Sequence, residues 1–247
     1  MTAPWPYPRW IAHRGAGKLA PENTLAAFRL GAAHGYRAFE CDVKLSADGQ
    51  PFLLHDATLE RTTTGHGTAG EQAWAELSRL DAGAWHSRAF AGEPLPTLAG
   101  SAAYVRANHA LLNIEIKPTP GVELETGRVV AAAAAALWAD AAVPPLLSSF
   151  RPEALHGARE TAPQLPRALL LDTLWDGWLQ FARQLDCVAV VTNFRLMDAG
   201  LRQQLRDAGL RALCYTVNEV EDAERLLALD VDGLITDAVD RFAPARG

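Results

Sequence analysis

Short apolar runs rich in β-branched residues alternate along the chain with longer amphipathic stretches built from Ala, Leu and Arg. The runs predict strands over 9–13, 37–45, 51–55, 111–117, 145–150, 167–171, 187–192, 210–217 and 233–236. The amphipathic stretches predict helices near 24–34, 97–108, 121–140, 151–160, 174–185, 197–207 and 218–229. Their starts carry entry signals: Asn23 with Thr24, Thr97, Pro152 after Arg151, and Glu219 after Asn218, while Gly35 and Gly209 are placed to end helices. Regular strand–helix alternation implies parallel βαβ units.

Nine strands are one too many for a (β/α)8 barrel. Leu45 and Pro51 are joined only by SADGQ, too short for a parallel crossover and carrying an Asp48–Gly49 turn signal. We therefore read 42–55 as a hairpin rising from the second strand, folded so that His55 comes roughly opposite Asp42. Eight strands remain. The prediction is an α/β fold: a single TIM-type barrel over residues 1–247, with 57–96 as a small excursion after the hairpin. The length of 247 residues agrees, since about 250 is typical of this barrel.

Composition narrows the function. The net charge of −6 argues against nucleic acid as the main partner. The most apolar run, 129–139, is far short of a bilayer span, and residues 1–10 hold no apolar leader core, so no stable membrane insertion is expected. Three unclustered cysteines fit a reducing compartment, and the expected localisation is cytoplasmic. The expected partner is a small molecule, bound by a monomer or homodimer.

Strand parity locates candidate chemistry. Residues at i and i+2 share a face, so Glu40 and Asp42 point together, with Cys41 toward the helix layer. Glu115 and Lys117 likewise point together, leaving Ile114 and Ile116 to the packed face. Both pairs end apolar strands, which in a barrel is the catalytic rim. Clustered carboxylates repel unless a cation neutralises them, and hard oxygen donors favour Mg²⁺, Ca²⁺ or Mn²⁺. The three carboxylates, such a cation, one phosphodiester, Arg14 and Lys117 together sum to zero charge. His13 and His55 also fall on the rim, where two imidazoles can act as base and acid. Between His13 and the first helix, Gly15 and Gly17 allow close backbone turns beside a ligand, and Glu22 and Asn23 read as capping residues.

In order along the chain stand HRG…PENT (13–24), ECDV (40–43), LLHD (53–56), RTTTGHG (61–67), EIK (115–117), LLSSF (146–150), YTVN (215–218) and VDGLITD (231–237). This set resembles the glycerophosphodiester phosphodiesterases, and the resemblance spans about residues 9–240. It implies a barrel enzyme that hydrolyses glycerophosphodiesters to sn-glycerol 3-phosphate and an alcohol, with one divalent cation as cofactor. Glu40, Asp42 and Glu115 would be its metal ligands, His13 and His55 the acid–base pair. Arg14, Lys117, Phe150 and Tyr215 would contact substrate. The chain departs from the family pattern at Tyr215, where Trp is usual, at Ala238 in place of Pro, and at Cys41.

Three other readings compete. A lysophospholipid phosphodiesterase on the same barrel would need an apolar lip, for which Trp74, Trp85 and Phe90 are candidates, although packing of the excursion explains them as well. A catalytically silent glycerophosphodiester-binding protein would be expected to lose a histidine or a ligand, and none of the seven polar positions is lost. A barrel lyase or aldolase would use Lys117 as a Schiff-base residue but leave His13, His55 and Arg14 idle.

Overall fold

Residues 5–242 and 244 are described by the computed structural model. The strands are β1 (Trp10–Ala12), β2 (Ala38–Leu45), β3 (Pro51–Leu53), β4 (Leu111–Ile116), β5 (Leu146–Ser149), β6 (Arg167–Leu171), β7 (Ala189–Asn193), β8 (Arg211–Tyr215) and β9 (Gly233–Thr236). The helices are α1 (Leu25–Ala33), α2 (Trp74–Leu77), α3 (Leu98–Ala107), α4 (Glu123–Leu137), α5 (Pro152–Thr161), α6 (Trp178–Gln184), α7 (Ala199–Asp207) and α8 (Val220–Ala228). Every strand except β3 pairs in parallel, in the order β1-β9-β8-β7-β6-β5-β4-β2, and β1 closes onto β2. This is an eight-stranded TIM-type barrel.

The ninth strand is the expected hairpin. β3 pairs antiparallel to β2 with Val43 opposite Leu53, across a turn in which Gly49 has φ +81°. The register puts Leu54, not His55, opposite Asp42: the Leu54 N–H donates to the Asp42 carbonyl at 3.1 Å. The strand stops at Leu53, and His55 lies one residue further along, clear of the ladder.

Local chemistry explains the helix starts. The Thr24 and Thr97 hydroxyls accept from the N–H groups of Ala27 and Gly100, and Pro152 opens α5, where its missing N–H costs nothing. Glu22 and Asn23 do not cap α1; both turn to the barrel mouth. Gly35 and Gly209 follow their helices at φ +92° and +72°. The largest shift from expectation is in α6, which starts at Trp178 rather than 174, because Gly177 at φ +88° holds the preceding residues in a loop.

Two apolar shells pack helices against the outer barrel face. Phe28, Phe39, Cys41, Ile114 and Ile116 belong to one, and Leu169, Trp178, Leu201, Cys214 and Leu226 to the other. The barrel interior is a separate core of Ile11, Ala38, Leu146, Leu170, Val191, Leu213 and Ile235. Tyr7 closes its floor, donating to the Pro144 carbonyl at 2.9 Å. Segment 57–96 carries only short helical turns over its own cluster, including Phe52, Leu59, Leu77 and Leu95. No helix among the described residues is long and apolar enough to cross a membrane.

Candidate active site

The inward rows of the strands climb from apolar floor to charged rim. On β2 the row runs Ala38, Glu40, Asp42, Lys44; on β4 it runs Leu111, Asn113, Glu115 and on to Lys117. Parallel pairing sets Asp42 level with Glu115 and Glu40 level with Asn113. One ligand oxygen from each of Glu40, Asp42 and Glu115 lies within 4.8 Å of the others, and all three residues are buried. Parity thus brings together the three carboxylates read from the sequence.

Their electrostatics are unequal. Burial, and then the charge of Asp42, push the Glu40 carboxyl up to about 8. Burial followed by Asp42 also raises Glu115. Asp42 goes the other way: burial opposes ionisation, but Arg14, Lys117 and a hydrogen bond from Asn23 hold its carboxyl far below the usual range. Asn23 Nδ2 donates to Asp42 Oδ2 at 2.8 Å, and its Oδ1 accepts the Asp42 N–H at 3.0 Å. Asn23 sits at φ +58°, a left-handed conformation that Asn tolerates better than most residues.

Each histidine is oriented by an aspartate. His13 Nδ1 is 2.6 Å from Asp237 Oδ1, and Asn218 donates to the other Asp237 oxygen at 3.1 Å. His55 Nδ1 is 2.7 Å from Asp56 Oδ1. A carboxylate on Nδ1 fixes the tautomer that leaves Nε2 as the free base. His13 Nε2 accepts from Arg14 Nε at 3.2 Å, and His55 Nε2 from Lys117 Nζ at 2.8 Å. Burial works to lower His13, but the Asp237 hydrogen bond and Glu40 outweigh it and the net shift is upward. His55 is lowered by burial, with Arg14 and Lys117 adding to the effect.

Arg14 lies at φ +50°, which turns its N–H onto Glu40 Oε2 at 3.0 Å. Its guanidinium meets Glu22 at 2.8 Å and Asp42 at 3.3 Å. Burial would depress Lys117, yet Asp42 and Glu115 hold it protonated, the reverse of what a Schiff-base lysine needs. Phe150 and Tyr215 meet edge to face at 5.6 Å, and Lys117 Nζ stands 5.6 Å over the Phe150 ring. All nine residues singled out in the sequence therefore lie at the same end of the barrel.

Several residues of this cluster were not singled out in advance. Asp237, Asp56 and Asn218 lie inside motifs already quoted; the available signal was Asp56 directly after His55, while Asp237 is 224 residues from His13 and has no local signal. Lys44 follows Asp42 at i+2. It is buried on the rim side of Asp42, donates to the Lys117 carbonyl at 3.0 Å, and is lowered by burial to about 8. Arg61 grips both Glu22, at 2.8 Å, and Asp56, at 2.5 Å, a junction between loops that spacing alone does not reveal. Gly15 and Gly17 serve the chain rather than a ligand: a Cβ on Gly17 would lie 2.2 Å from the Asp237 backbone. Of the three candidate lip residues, Trp74 packs on Phe52 at 5.8 Å and Phe90 on His86 at 5.4 Å; only Trp85 is exposed, at 40%.

The residues fit a divalent cation. Hard carboxylate oxygens converge, and Glu40 Oε1 is buried with no hydrogen-bond partner. A parallel barrel bearing such a trio between two aspartate-held histidines and two cations defines a hydrolytic site for anionic esters. Comparison with known proteins makes this specific: the model of the glycerophosphoryl diester phosphodiesterase family matches residues 13–241, and the chain belongs to that family of enzymes. A glycerophosphodiester phosphodiesterase of Caldanaerobacter subterraneus is 33% identical, over 92% of this chain and 93% of that one. Among solved structures, a phosphodiesterase from Oleispira antarctica, in complex with the product sn-glycerol-3-phosphate, superposes with a TM-score of 0.88. It is 33% identical, with 95% of each chain covered. A glycerophosphodiester phosphodiesterase from Agrobacterium tumefaciens superposes at 0.79 with 29% identity, over 96% of this chain and 99% of that one.

Proposed function

We propose that the chain hydrolyses glycerophosphodiesters to sn-glycerol 3-phosphate and an alcohol, with His13 and His55 exchanging roles as acid and base through a cyclic phosphate. The observation that carries this reading is the pair of Asp–His dyads, Asp237–His13 and Asp56–His55, flanking one carboxylate trio. Glu40, Asp42 and Glu115 would hold one divalent cation (Mg²⁺, Ca²⁺ or Mn²⁺), which would supply Lewis-acid stabilisation of charge on the ester.

His13 Nε2 takes the proton of the glycerol hydroxyl next to the phosphate as its oxygen bonds to phosphorus. The phosphorus–oxygen bond to the departing alcohol breaks, and His55 Nε2 delivers a proton to the alcohol. Water then opens the cyclic phosphate with the two roles reversed, so protons balance over the cycle. The order is taken from the family resemblance, and two contacts are in keeping with it. His13 Nε2 is 3.8 Å from Glu40 on the inner side, whereas His55 meets Lys117, which lines the open cavity. Against burial, His13 is raised first by the Asp237 hydrogen bond and then by Glu40, while His55 is lowered by burial, Arg14 and Lys117. Arg14 and Lys117 compensate the phosphoryl charge. We place the enzyme in the cytoplasm, acting on a small soluble substrate.

Each proton transfer is worth roughly 10²–10⁴-fold in rate. His13→Ala and His55→Ala should each lose at least about 10²-fold in kcat while keeping the wild-type circular dichroism spectrum and melting temperature. Near-normal turnover by either folded variant removes that histidine from the mechanism.

A further inference from the structure

We propose that Lys44 is a positioning residue for protonation of the leaving alcohol: its buried ammonium pins the main chain of both His55 and Lys117 and so sets where His55 Nε2 meets the departing oxygen. The inference rests on the hydrolase reading above and adds a residue to it. Lys44 stands on the inward row of β2, two residues beyond Asp42 on the rim side, and is 1% exposed. Its hydrogen-bond partners are main-chain carbonyls, those of Lys117 at 3.0 Å and His55 at 3.4 Å.

The backbone explains why a side chain is needed there. On one side of β2 the Lys117 N–H donates to the Val43 carbonyl at 2.8 Å, just past the end of β4 at Ile116. On the other side the Leu54 N–H donates to the Asp42 carbonyl at 3.1 Å, just past the end of β3 at Leu53. Beyond these rungs both chains leave the sheet for loops. An ammonium has three donors and no acceptor, so Lys44 Nζ can hold one carbonyl from each chain. The side chains close the arrangement: Lys117 Nζ is 2.8 Å from His55 Nε2, and Asp56 holds His55 Nδ1 at 2.7 Å. The imidazole is thus fixed at both nitrogens, and Lys44 fixes the main chain from which it hangs.

The residue type argues against mere space-filling. Burying an ammonium that hydrogen-bonds no carboxylate is destabilising, and a methionine of similar length would fill the volume without that cost. Arg14 and Lys117 lie within ion-pair distance of carboxylates, whereas Lys44 hydrogen-bonds carbonyls alone. At 1% exposure it also has no surface to offer an ester. Lys44 therefore acts through the two loops it ties, and not on the substrate.

The test uses two esters of sn-glycerol 3-phosphate that differ in their need for an acid. The choline ester must have its leaving oxygen protonated, whereas the p-nitrophenyl ester releases a phenolate that needs no proton. Single-turnover release reports bond cleavage alone. Lys44→Met should slow release of choline by roughly 10- to 100-fold more than release of p-nitrophenol, because a small displacement of the acid costs about that much. His55→Ala should show the same selectivity. Lys44→Gln, which keeps a donor, should recover part of the difference, and it carries the test if Lys44→Met fails to fold. Equal slowing of both esters in the folded variants marks Lys44 as a structural strut and overturns the proposal. Imidazole nitrogen NMR spectra, with the His55 signals assigned by their loss in His55→Ala, test the link without turnover. The His55 signals should move in Lys44→Met while those of His13 stay, and unmoved His55 signals overturn the proposal. Failure of the hydrolase reading looks different: the wild type then cleaves neither ester, and movement of the His55 signals still supports the link from Lys44 to His55.

Discussion

Glu40 is the residue at which the metal-free site is least comfortable. It is buried, one of its oxygens has no partner, and its carboxyl is pushed up to about 8 by burial and Asp42. A carboxyl with an ordinary value of 4.5 that keeps its proton to about 8 when folded takes up a proton on folding between those pH values. The metal-free protein therefore loses stability as pH rises through that window. Asp42 does not contribute there, because its depressed pKa acts only at acid pH. Thermal melts of the chelated protein between about pH 5 and pH 8 should show a falling melting temperature, shallower in Glu40→Gln, and added Mg²⁺ or Ca²⁺ should flatten it. An identical slope in Glu40→Gln would show that Glu40 is not the group responsible.

Between elements, the decisive contacts are made by loops. A continuous chain runs His13–Arg14–Glu22–Arg61–Asp56–His55, with links of 3.2, 2.8, 2.8, 2.5 and 2.7 Å. It ties the loop after β1 to the start of segment 57–96 and sets the spacing of the two histidines. Arg61 forks onto two carboxylates, a geometry that a lysine ammonium does not reproduce. Arg61→Ala and Arg61→Lys should both lower kcat by about tenfold or more with only a small change in melting temperature; equal kcat in all three proteins would show that the link carries no function. Gly17 is the backbone counterpart. At φ +56° and packed on the Asp237 backbone, it leaves no room for a side chain, so Gly17→Ala should destabilise by roughly 1–3 kcal/mol in urea unfolding. An unchanged midpoint would mean that the loop relaxes without cost. These loop contacts explain what was legible in the sequence. Period-two parity found Glu40, Asp42, Glu115 and Lys117 because strand geometry repeats rigidly. The Asp48–Gly49 turn exposed the extra strand. Arg61 with Glu22, 39 residues apart in sequence, and Asn23 with Asp42 depend on loop paths that no local pattern encodes. Glu22 and Asn23 were accordingly read as caps, and the hairpin register was off by one.

At the scale of the whole molecule, the barrel divides its two ends. The floor is apolar and closed by Tyr7, and the opposite rim gathers three carboxylates, two histidines and the cations beside them. Such a concentration of buried charge is stable only if opposite charges are held close, and the family membership agrees with what the rim is built to compensate. The central claim is cation-dependent hydrolysis of glycerophosphodiesters at this rim. Its most direct measurement is release of sn-glycerol 3-phosphate from a panel of glycerophosphodiesters, with and without EDTA. The account predicts release from the untreated enzyme, loss of release in excess EDTA, and recovery on adding Mg²⁺, Ca²⁺ or Mn²⁺. Undiminished release in chelator, or no release from any ester with cation present, would contradict it.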